Sequence, residues 1–269
     1  MGNLKPSEEI DWRLIIWDTF FMTANKDPQK RKLADLEYEK KYLQNNNLRV
    51  STFDPHVQGD ELGILRANLL SLLSPNLDGE VLDYGAGLCE IAEYLAVSGA
   101  QVTAMDMFSG YLEASRNRSR EYNNTALNYV IGDCEALPFS NNSFSAAVCS
   151  EVLHHVPDPN LGASELFRVL QPGGACLVVE PNALSPLRRV KELIVRRQEK
   201  IHEASFYPWE LKKIFKSAGF EVASLPISKF KVRLKKRNFI FAVLYKIANG
   251  PIIWRVINDS LLLLKKPTA

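Results

Sequence analysis

The sequence predicts an α/β fold with a doubly wound, largely parallel sheet, and three observations lead to that prediction. Short apolar runs alternate with segments of helical spacing between residues 80 and 180. The first unit, Glu80 to Gly99, reads EVLDYGAGLCEIAEYLAVSG and passes from a strand through a small-residue turn into a helix. An acidic residue, Asp106, ends the next strand about 20 residues after Gly85. This pattern is typical of folds that bind a nucleotide at the carboxyl ends of their strands.

Composition permits one large domain or one domain with additions. The chain has 269 residues, of which 46% are hydrophobic, and its formal net charge of +2 is too small to argue for a nucleic-acid partner. No Cys-x-x-Cys pair occurs, so we expect reduced thiols in a cytoplasmic protein without a metal site. A signal peptide and a spanning helix are not expected, because the required apolar runs are absent. The cysteines are Cys89, Cys134, Cys149 and Cys176.

Residues 1–75 are predicted to form a helical segment ahead of a core domain at 76–269. Apolar residues mark helices at Ile10 to Met22, at Gln29 to Gln44 and at Asp60 to Leu73, the last ending before Pro75. Such helices can cap a cofactor cleft or can simply cover an edge of the sheet. The pattern alone favours neither alternative.

The turn Gly85-Ala86-Gly87 distinguishes between two classes of protein with a nucleotide-binding type of fold. A dinucleotide fingerprint needs a third glycine at position 90, where this chain has Glu90, and a carboxylate there would repel a pyrophosphate. Asp83, at the end of the first strand, instead suits a ligand that carries an ammonium group. This combination resembles motif I of the class I S-adenosylmethionine-dependent methyltransferases, with Cys89 in place of the last glycine.

The resemblance continues through GDCEALPFSNNSFSAAVCSEVLHHVPDP and LFRVLQPGGACLVVEPN, and it covers Glu80 to Asn182. It implies a Rossmann-like sheet of seven strands, the last antiparallel, with S-adenosylmethionine as cofactor. Asp106 is expected to bind the ribose hydroxyls, Asp133 the adenine amine, and the backbone of Cys134 the adenine ring, while Ser150 lies beside the sulfonium. The complete predicted cofactor set is Asp83, Gly85, Ala86, Gly87, Asp106, Met107, Asp133, Cys134 and Ser150.

Several further elements follow from periodicity and breaker residues. We expect a helix from Ser109 to Tyr122, capped by Ser109 and with Arg116, Arg118 and Arg120 facing solvent. Pro172-Gly173-Gly174 is predicted to be a turn before a strand at Ala175 to Glu180. A basic helix is expected at Ala183 to Lys200, another helix at Pro208 to Ala218, and final strands at Phe220 to Ile227 and Ser260 to Lys265.

The sequence also offers candidate residues for catalysis and for binding the acceptor. His154 and His155 are candidate proton acceptors, although one of them is expected to pack behind the cofactor. The segment HEASFYPWELKKIFKSAGF resembles the family region that lines the acceptor pocket, which makes His202, Phe206, Tyr207 and Trp209 acceptor candidates. Trp209 can equally belong to the core.

An insertion at about 229–257 is longer than the short hairpin that the family usually has there. It joins a basic cluster, Lys229 to Arg237, to the apolar run NFIFAVLYKIANGPIIWRVI. Such a segment can lie peripherally on an anionic membrane, close over the active site, or form a dimer contact, and the oligomeric state stays open. Both of the first two alternatives favour a small-molecule or lipid-like acceptor, and no nucleic acid is expected.

The sequence thus predicts direct in-line methyl transfer from S-adenosylmethionine. The sulfonium is already activated, so the protein mainly has to position the reactants and exclude water. Two alternatives remain at this point: a protein that binds S-adenosylmethionine without transferase activity, and an NAD-dependent oxidoreductase.

Overall fold

The computed structural model describes residues Gln29, Lys32, Leu33, Leu36 and Glu37, followed by 71–121, 127–185, 205–225 and 260–268. Within these ranges the chain forms a seven-stranded sheet, which confirms the predicted fold class. The strands are β1 (Glu80–Tyr84), β2 (Gln101–Asp106), β3 (Leu127–Ile131), β4 (Phe144–Ser150), β5 (Leu170–Glu180), β6 (Glu221–Ser224) and β7 (Ser260–Lys265).

The strand order is β3-β2-β1-β4-β5-β7-β6. Strands β1 to β5 pair in parallel, whereas β7 runs antiparallel to both β5 and β6. From β1 the chain adds β2 and then β3 toward one edge of the sheet. It then returns to the middle and adds β4 on the other side of β1. The point between β1 and β4 is therefore a topological switch point, where ligands of doubly wound sheets bind.

Two apolar layers cover the two faces of the sheet. Alternate residues of one strand belong to different layers: Val81 packs in one and Leu82 in the other. The helices α1 (Glu90–Val97) and α2 (Ser109–Glu121) cover the face of Val81, and α3 (Pro159–Val169) and α4 (Pro208–Ser217) cover the face of Leu82. Parallel strands that are buried on both faces read as continuous apolar runs, as β4 does in this sequence.

Local chemistry fixes where the helices begin and end. Asp158 caps α3, since its carboxylate accepts from the N–H groups of Asn160 (3.0 Å) and Leu161 (3.3 Å). Pro159 and Pro208 occupy the first positions of α3 and α4, where a missing N–H costs nothing. Gly219 follows α4 with φ +107°, a conformation that favours glycine and ends the helix.

Arg118 does not face solvent. It is buried, whereas Arg116 and Arg120 are exposed as expected. Residues four apart on a helix share a face, but a residue two positions along points to the opposite side. Ser109 also is the first residue of α2 and not its cap.

Three further boundary predictions are wrong. Strand β5 already begins at Leu170, so the Pro172-Gly173-Gly174 segment lies inside it, and the register against β4 slips between the pairs Phe144–Leu170 and Ala146–Ala175. A 3₁₀ helix at Ser71–Asn76 continues through Pro75 and does not end before it. Residues 183–185 form a turn and not the start of a helix.

Other predictions fall outside the described residues. These are the helix at Ile10 to Met22, residues 60–70 of the helix at Asp60 to Leu73, most of the helix at 183–200, His202, and the insertion at 229–257. The domain division at residue 75 stays a prediction. The helical residues Gln29, Lys32, Leu33, Leu36 and Glu37 agree with the helix predicted at Gln29 to Gln44. None of the described helices is long and apolar enough to span a bilayer.

Candidate functional site

A cavity of about 490 Å³ opens at the switch point, along the carboxyl ends of β1, β2 and β4. Its volume lies in the range of about 300–1,000 Å³ that is usual for small-molecule sites. All nine residues of the predicted cofactor set line it, although their role in binding stays a prediction. They are Asp83, Gly85, Ala86, Gly87, Asp106, Met107, Asp133, Cys134 and Ser150.

The two glycines of the turn are required for different reasons. A Cβ on Gly85 would lie 2.0 Å from Cγ2 of Val152, so this glycine allows the segment after β4 to press against the turn. A Cβ on Gly87 would meet nothing within 4 Å, and its φ of +51° disfavours other residues. Gly87 therefore leaves an open space in the cavity wall where a ligand can approach the backbone.

Asp106 connects the glycine turn to the end of β2. Its carboxylate accepts from the N–H of Gly87 (2.8 Å) and from the N–H of Phe108 (2.8 Å). Burial raises the pKa of this carboxyl, and the backbone donors oppose that rise. The side chain thus holds the turn in place while it lines the cavity at the position expected for the ribose.

Asp83 is buried more deeply, with 2% of its surface exposed. Its carboxylate accepts from the N–H of Ala92 in α1 at 3.1 Å. Burial raises the pKa of Asp83 to about 7, and the charge of Asp106 adds to the rise, while the bond from Ala92 opposes it. A cationic ligand group in the cavity would favour the ionised form of this carboxyl.

The adenine position expected at Asp133 already has a cationic neighbour in this structure. Lys32 donates to Oδ2 of Asp133 at 2.5 Å and also pairs with Glu135. Leu36, one turn further along the same helical segment, lines the cavity as well. No local pattern in the sequence indicates this contact, because it joins residues that are 101 positions apart.

The paired histidines separate into an inner and an outer residue. His154 is 4% exposed, and its Nδ1 lies 2.8 Å from Oε2 of Glu180, a carboxylate with no exposed surface. His155 lines the cavity and its ring centroid lies 4.2 Å from that of His154. His154 thus packs behind the cavity wall, as expected for one of the pair, and His155 is the imidazole within reach of a ligand.

Glu180 was not singled out in the sequence. Besides His154, it accepts from the N–H groups of Val152 (3.0 Å) and Leu153 (2.7 Å). Burial raises its pKa to about 7, whereas the backbone donors and the charge of His155 oppose the rise. An acidic residue directly after the apolar run ACLVV is the signal that could have identified it.

A second network supports the glycine turn from the side of α2. Arg118 forms a buried ion pair with Glu93 of α1, with 2.7 Å between Nε and Oε2, and also donates to the carbonyl of Leu88 at 2.6 Å. Ser115 donates to the same carboxylate at 2.5 Å. Since Leu88 lines the cavity, this ion pair anchors one edge of the site.

The charges at the cavity fit a cationic cofactor. Five carboxyl side chains and one ammonium line it among the described residues, and the ammonium of Lys32 is paired with Asp133 and Glu135. S-adenosylmethionine carries a sulfonium and an ammonium group, which this field attracts, whereas the pyrophosphate of NAD would be repelled. When bound, the cofactor would supply an activated methyl group. The carboxyl residues are Asp83, Glu90, Asp106, Asp133 and Glu151.

The acceptor candidates that the structure describes, Phe206, Tyr207 and Trp209, do not line this cavity. Tyr207 and Trp209 stack on each other at the start of α4, with ring centroids 4.7 Å apart, and neither lines the cavity. Trp209 is 58% exposed and therefore is not a core residue. Phe206 packs at the edge of the apolar core. Among the residues that the structure places, no cluster of His, Cys, Asp or Glu could hold a metal ion.

Comparisons with known proteins agree with this site. A family model described as a methyltransferase domain matches residues 82–178. A demethylmenaquinone methyltransferase of Clavibacter sepedonicus is 37% identical over 108 residues, which are 40% of this chain and 43% of that protein. The chain thus spans less than half the length of that relative. A ubiquinone biosynthesis O-methyltransferase of Psychrobacter arcticus is 30% identical over 185 residues, which are 65% of this chain and 71% of that protein.

The fold agrees as well. A SAM-dependent methyltransferase from Aquifex aeolicus superimposes with a TM-score of 0.53 at 15% identity, covering 87% of this chain and 98% of that chain. At this identity the likeness concerns the fold alone. The family model, the Psychrobacter relative and the cavity chemistry together identify the chain as a member of the class I S-adenosylmethionine-dependent methyltransferase family.

Proposed function

We propose that the protein transfers a methyl group from S-adenosylmethionine to a small-molecule or lipid-like acceptor. The observation that carries this proposal is the cavity at the switch point, where Gly87 leaves the backbone open and carboxyl groups outnumber the single ammonium among the described lining residues. The relatives named above act, by their names, on quinone-type compounds, which supports an apolar acceptor. In-line transfer asks the protein for positioning and exclusion of water.

Cofactor binding is tested by calorimetry with S-adenosylmethionine, S-adenosylhomocysteine and NADH. We expect binding of the first two and none of NADH, because the carboxyl groups of the cavity repel a pyrophosphate. Binding of NADH alone would contradict the proposed cofactor. S-adenosylhomocysteine is a thioether and lacks the sulfonium charge, so it should bind more weakly than S-adenosylmethionine at low ionic strength. Added salt should reduce this difference in affinity.

Transfer itself is tested with isotope-labelled cofactor. The protein is incubated with a reduced naphthoquinol, with a catechol, and with a lipid extract of cells, and the labelled products are identified by mass spectrometry. Label in an aromatic or lipid product supports the proposal and identifies the methylated atom. Cofactor binding without label in any product would favour a protein that binds S-adenosylmethionine but lacks transferase activity.

We further propose that the protein works in the cytoplasm and reaches its acceptor at a membrane surface through the segment 229–257. The support is the basic cluster followed by an apolar run in the sequence. Binding to vesicles that contain anionic lipid should then depend on salt and be lost when Lys235, Lys236 and Arg237 are replaced by Ala. No vesicle binding, together with loss of turnover when Phe239 and Phe241 are truncated, would instead identify a lid.

We also propose that residues 1–75 cap the cofactor cleft. Lys32 and Leu36 line the cavity from the same side of a helical segment, whereas Leu33 between them is 61% exposed. This arrangement supports a cap over the cavity. A Lys32→Met variant should bind S-adenosylmethionine with changed affinity, and protease cleavage within residues 1–75 should slow when the cofactor is present.

A further inference from the structure

Glu180 connects the end of β5 to the segment that forms one wall of the cavity. Oε1 accepts from two successive N–H groups, those of Val152 and Leu153, and Oε2 faces Nδ1 of His154. The carboxylate is completely buried and all three contacts are 3.0 Å or shorter. Three consecutive residues that follow β4 are thus held by one side chain.

The held segment faces both the glycine turn and the open cavity. Val152 packs against Gly85, where the turn leaves no room for a Cβ. His155, Val156 and Pro157 line the cavity beyond it. The segment begins beside Ser150, which is expected next to the sulfonium, so it forms the wall from which an acceptor would approach the methyl group.

We propose that Glu180 is a positioning residue for the acceptor side of the site, acting through the turn Leu153–His155 and through His154 to fix His155 at the cavity wall. The proposal rests on the proposed methyl transfer. A carboxylate that accepts from Nδ1 of His154 keeps the proton on that nitrogen and holds the ring in one orientation. The ring of His154 contacts that of His155, with centroids 4.2 Å apart and planes tilted by 39°. Glu180 itself does not line the cavity and does not touch the reactants.

Glu180→Gln and Glu180→Ala separate the parts of this role. The amide oxygen of Gln can still accept from Val152 and Leu153, but its NH₂ group can only donate, so Nδ1 of His154 must become the acceptor. We expect the Gln variant to keep the turn and its kcat within about threefold of wild type. The Ala variant leaves both N–H groups without this acceptor, and its kcat should fall by ten-fold or more.

Glu165→Ala is the matched control. Glu165 also accepts from a backbone N–H, that of Leu137 at 2.8 Å, and pairs with Arg168, but none of these residues lines the cavity. The control should lose thermal stability while its kcat stays within about twofold. Equal losses of kcat in the two Ala variants would reduce Glu180 to a general structural role and overturn the proposal.

The decisive measurement does not depend on turnover. In protein labelled with ¹⁵N-histidine at pH 8, His154 should show the Nδ1–H tautomer in wild type and the Nε2–H tautomer in Glu180→Gln. Addition of S-adenosylhomocysteine and then 1,4-dihydroxynaphthalene should shift the His155 signals in wild type and in the Gln variant, and shift them less in Glu180→Ala. An unchanged tautomer in the Gln variant, or identical His155 responses in all three proteins, would overturn the proposal.

Failure of the proposed function gives a different result. If wild type binds S-adenosylhomocysteine but methylates no acceptor, the proposed activity fails, while the histidine signals still decide the role of Glu180. If the naphthalenediol does not shift His155 even in wild type, the assignment of this wall to the acceptor is wrong.

Discussion

At the scale of single residues, Asp106 and Gly87 determine whether the cavity can hold its cofactor. Replacing Asp106 with Ala removes the acceptor of two backbone N–H groups as well as the carboxylate expected to bind ribose. Replacing Gly87 with Val places a β-branched residue at φ +51° in the open part of the wall. Each change should weaken S-adenosylmethionine binding at least ten-fold, about 1.4 kcal/mol, by calorimetry.

Glu113→Ala, on the exposed side of α2, serves as the control for these variants and should leave the affinity unchanged. Circular dichroism must show that Asp106→Ala remains folded. Wild-type affinity in a folded Asp106→Ala protein would remove the ribose assignment, and wild-type affinity in Gly87→Val would remove the assignment of the open space to the ligand.

Glu151 adopts a backbone conformation that its residue type disfavours. Glu151 is not a glycine, yet its φ is +53°. It directly follows β4 and lines the cavity. Such conformations cost about 1–3 kcal/mol and are concentrated at functional sites. We predict that Glu151→Gly increases the free energy of unfolding by about 0.5–1 kcal/mol in urea, because part of the gain is lost to the freedom of glycine in the unfolded chain.

Asn142 provides the comparison, since it has φ +58° in an exposed loop away from the cavity. Asn142→Gly relieves the same conformation but removes the amide oxygen that accepts from Lys266, so its net stabilisation should be smaller. A Glu151→Gly protein that is less stable than wild type would contradict this prediction. It would show that the Glu151 side chain stabilises the fold by more than its positive φ destabilises it.

At the scale of the elements, the strands were the most predictable part of the molecule. The predicted strand Ser260 to Lys265 matches β7 to the residue, because a buried strand reads as an apolar run between breakers. The Pro172-Gly173-Gly174 segment is predicted to be a turn because such residues usually end a strand, but tertiary pairing includes it in β5. All nine predicted cofactor residues meet at one cavity because motif spacing and strand ends determine their positions.

Contacts between distant elements could not be predicted in this way. The contacts of Lys32 with Asp133, of Glu180 with His154 and of Arg118 with Glu93 each join segments that are distant in the sequence, so no local pattern encodes their pairing. For Arg118, helical geometry alone would have warned against placing it on the same face as Arg116 and Arg120. Glu151 follows a strand in the sequence like many solvated residues, and only its backbone conformation distinguishes it.

The ion pair between α1 and α2 leads to a prediction at the same scale. Arg118→Met leaves Glu93 buried without its cation, which should lower the free energy of unfolding by about 3–5 kcal/mol in urea. Arg120→Met, on the exposed side of the same helix, should change it by less than about 0.5 kcal/mol. The double variant Glu93→Leu and Arg118→Met should recover part of the loss, since no uncompensated charge remains. Equal effects at both arginines would contradict the buried role of Arg118.

At the scale of the whole molecule, the sheet buries two carboxyl groups whose pKa values lie near neutral pH. Burial raises the pKa values of Asp83 and Glu180 from their ordinary values of 3.8 and 4.5 to about 7 in each case. One lies at the end of β1 and the other at the end of β5, with β4 between those strands. Both therefore hold their protons more tightly in the folded chain than in the unfolded chain.

This difference in proton binding determines how stability changes with pH. Between about pH 4.5 and pH 7 the folded chain keeps protons that the unfolded chain has lost, so the free energy of unfolding falls as the pH rises, by up to about 1.4 kcal/mol per pH unit for each group. Above about pH 7 both groups are ionised in both states and their contribution to the slope disappears.

Urea unfolding of the cofactor-free protein at pH 5, 6, 7 and 8 measures this dependence. The double variant Asp83→Asn and Glu180→Gln should lose less stability than wild type between pH 5 and pH 7, because neither replacement titrates. Parallel curves for the two proteins would show that these carboxyl groups ionise inside the fold as easily as they do in water.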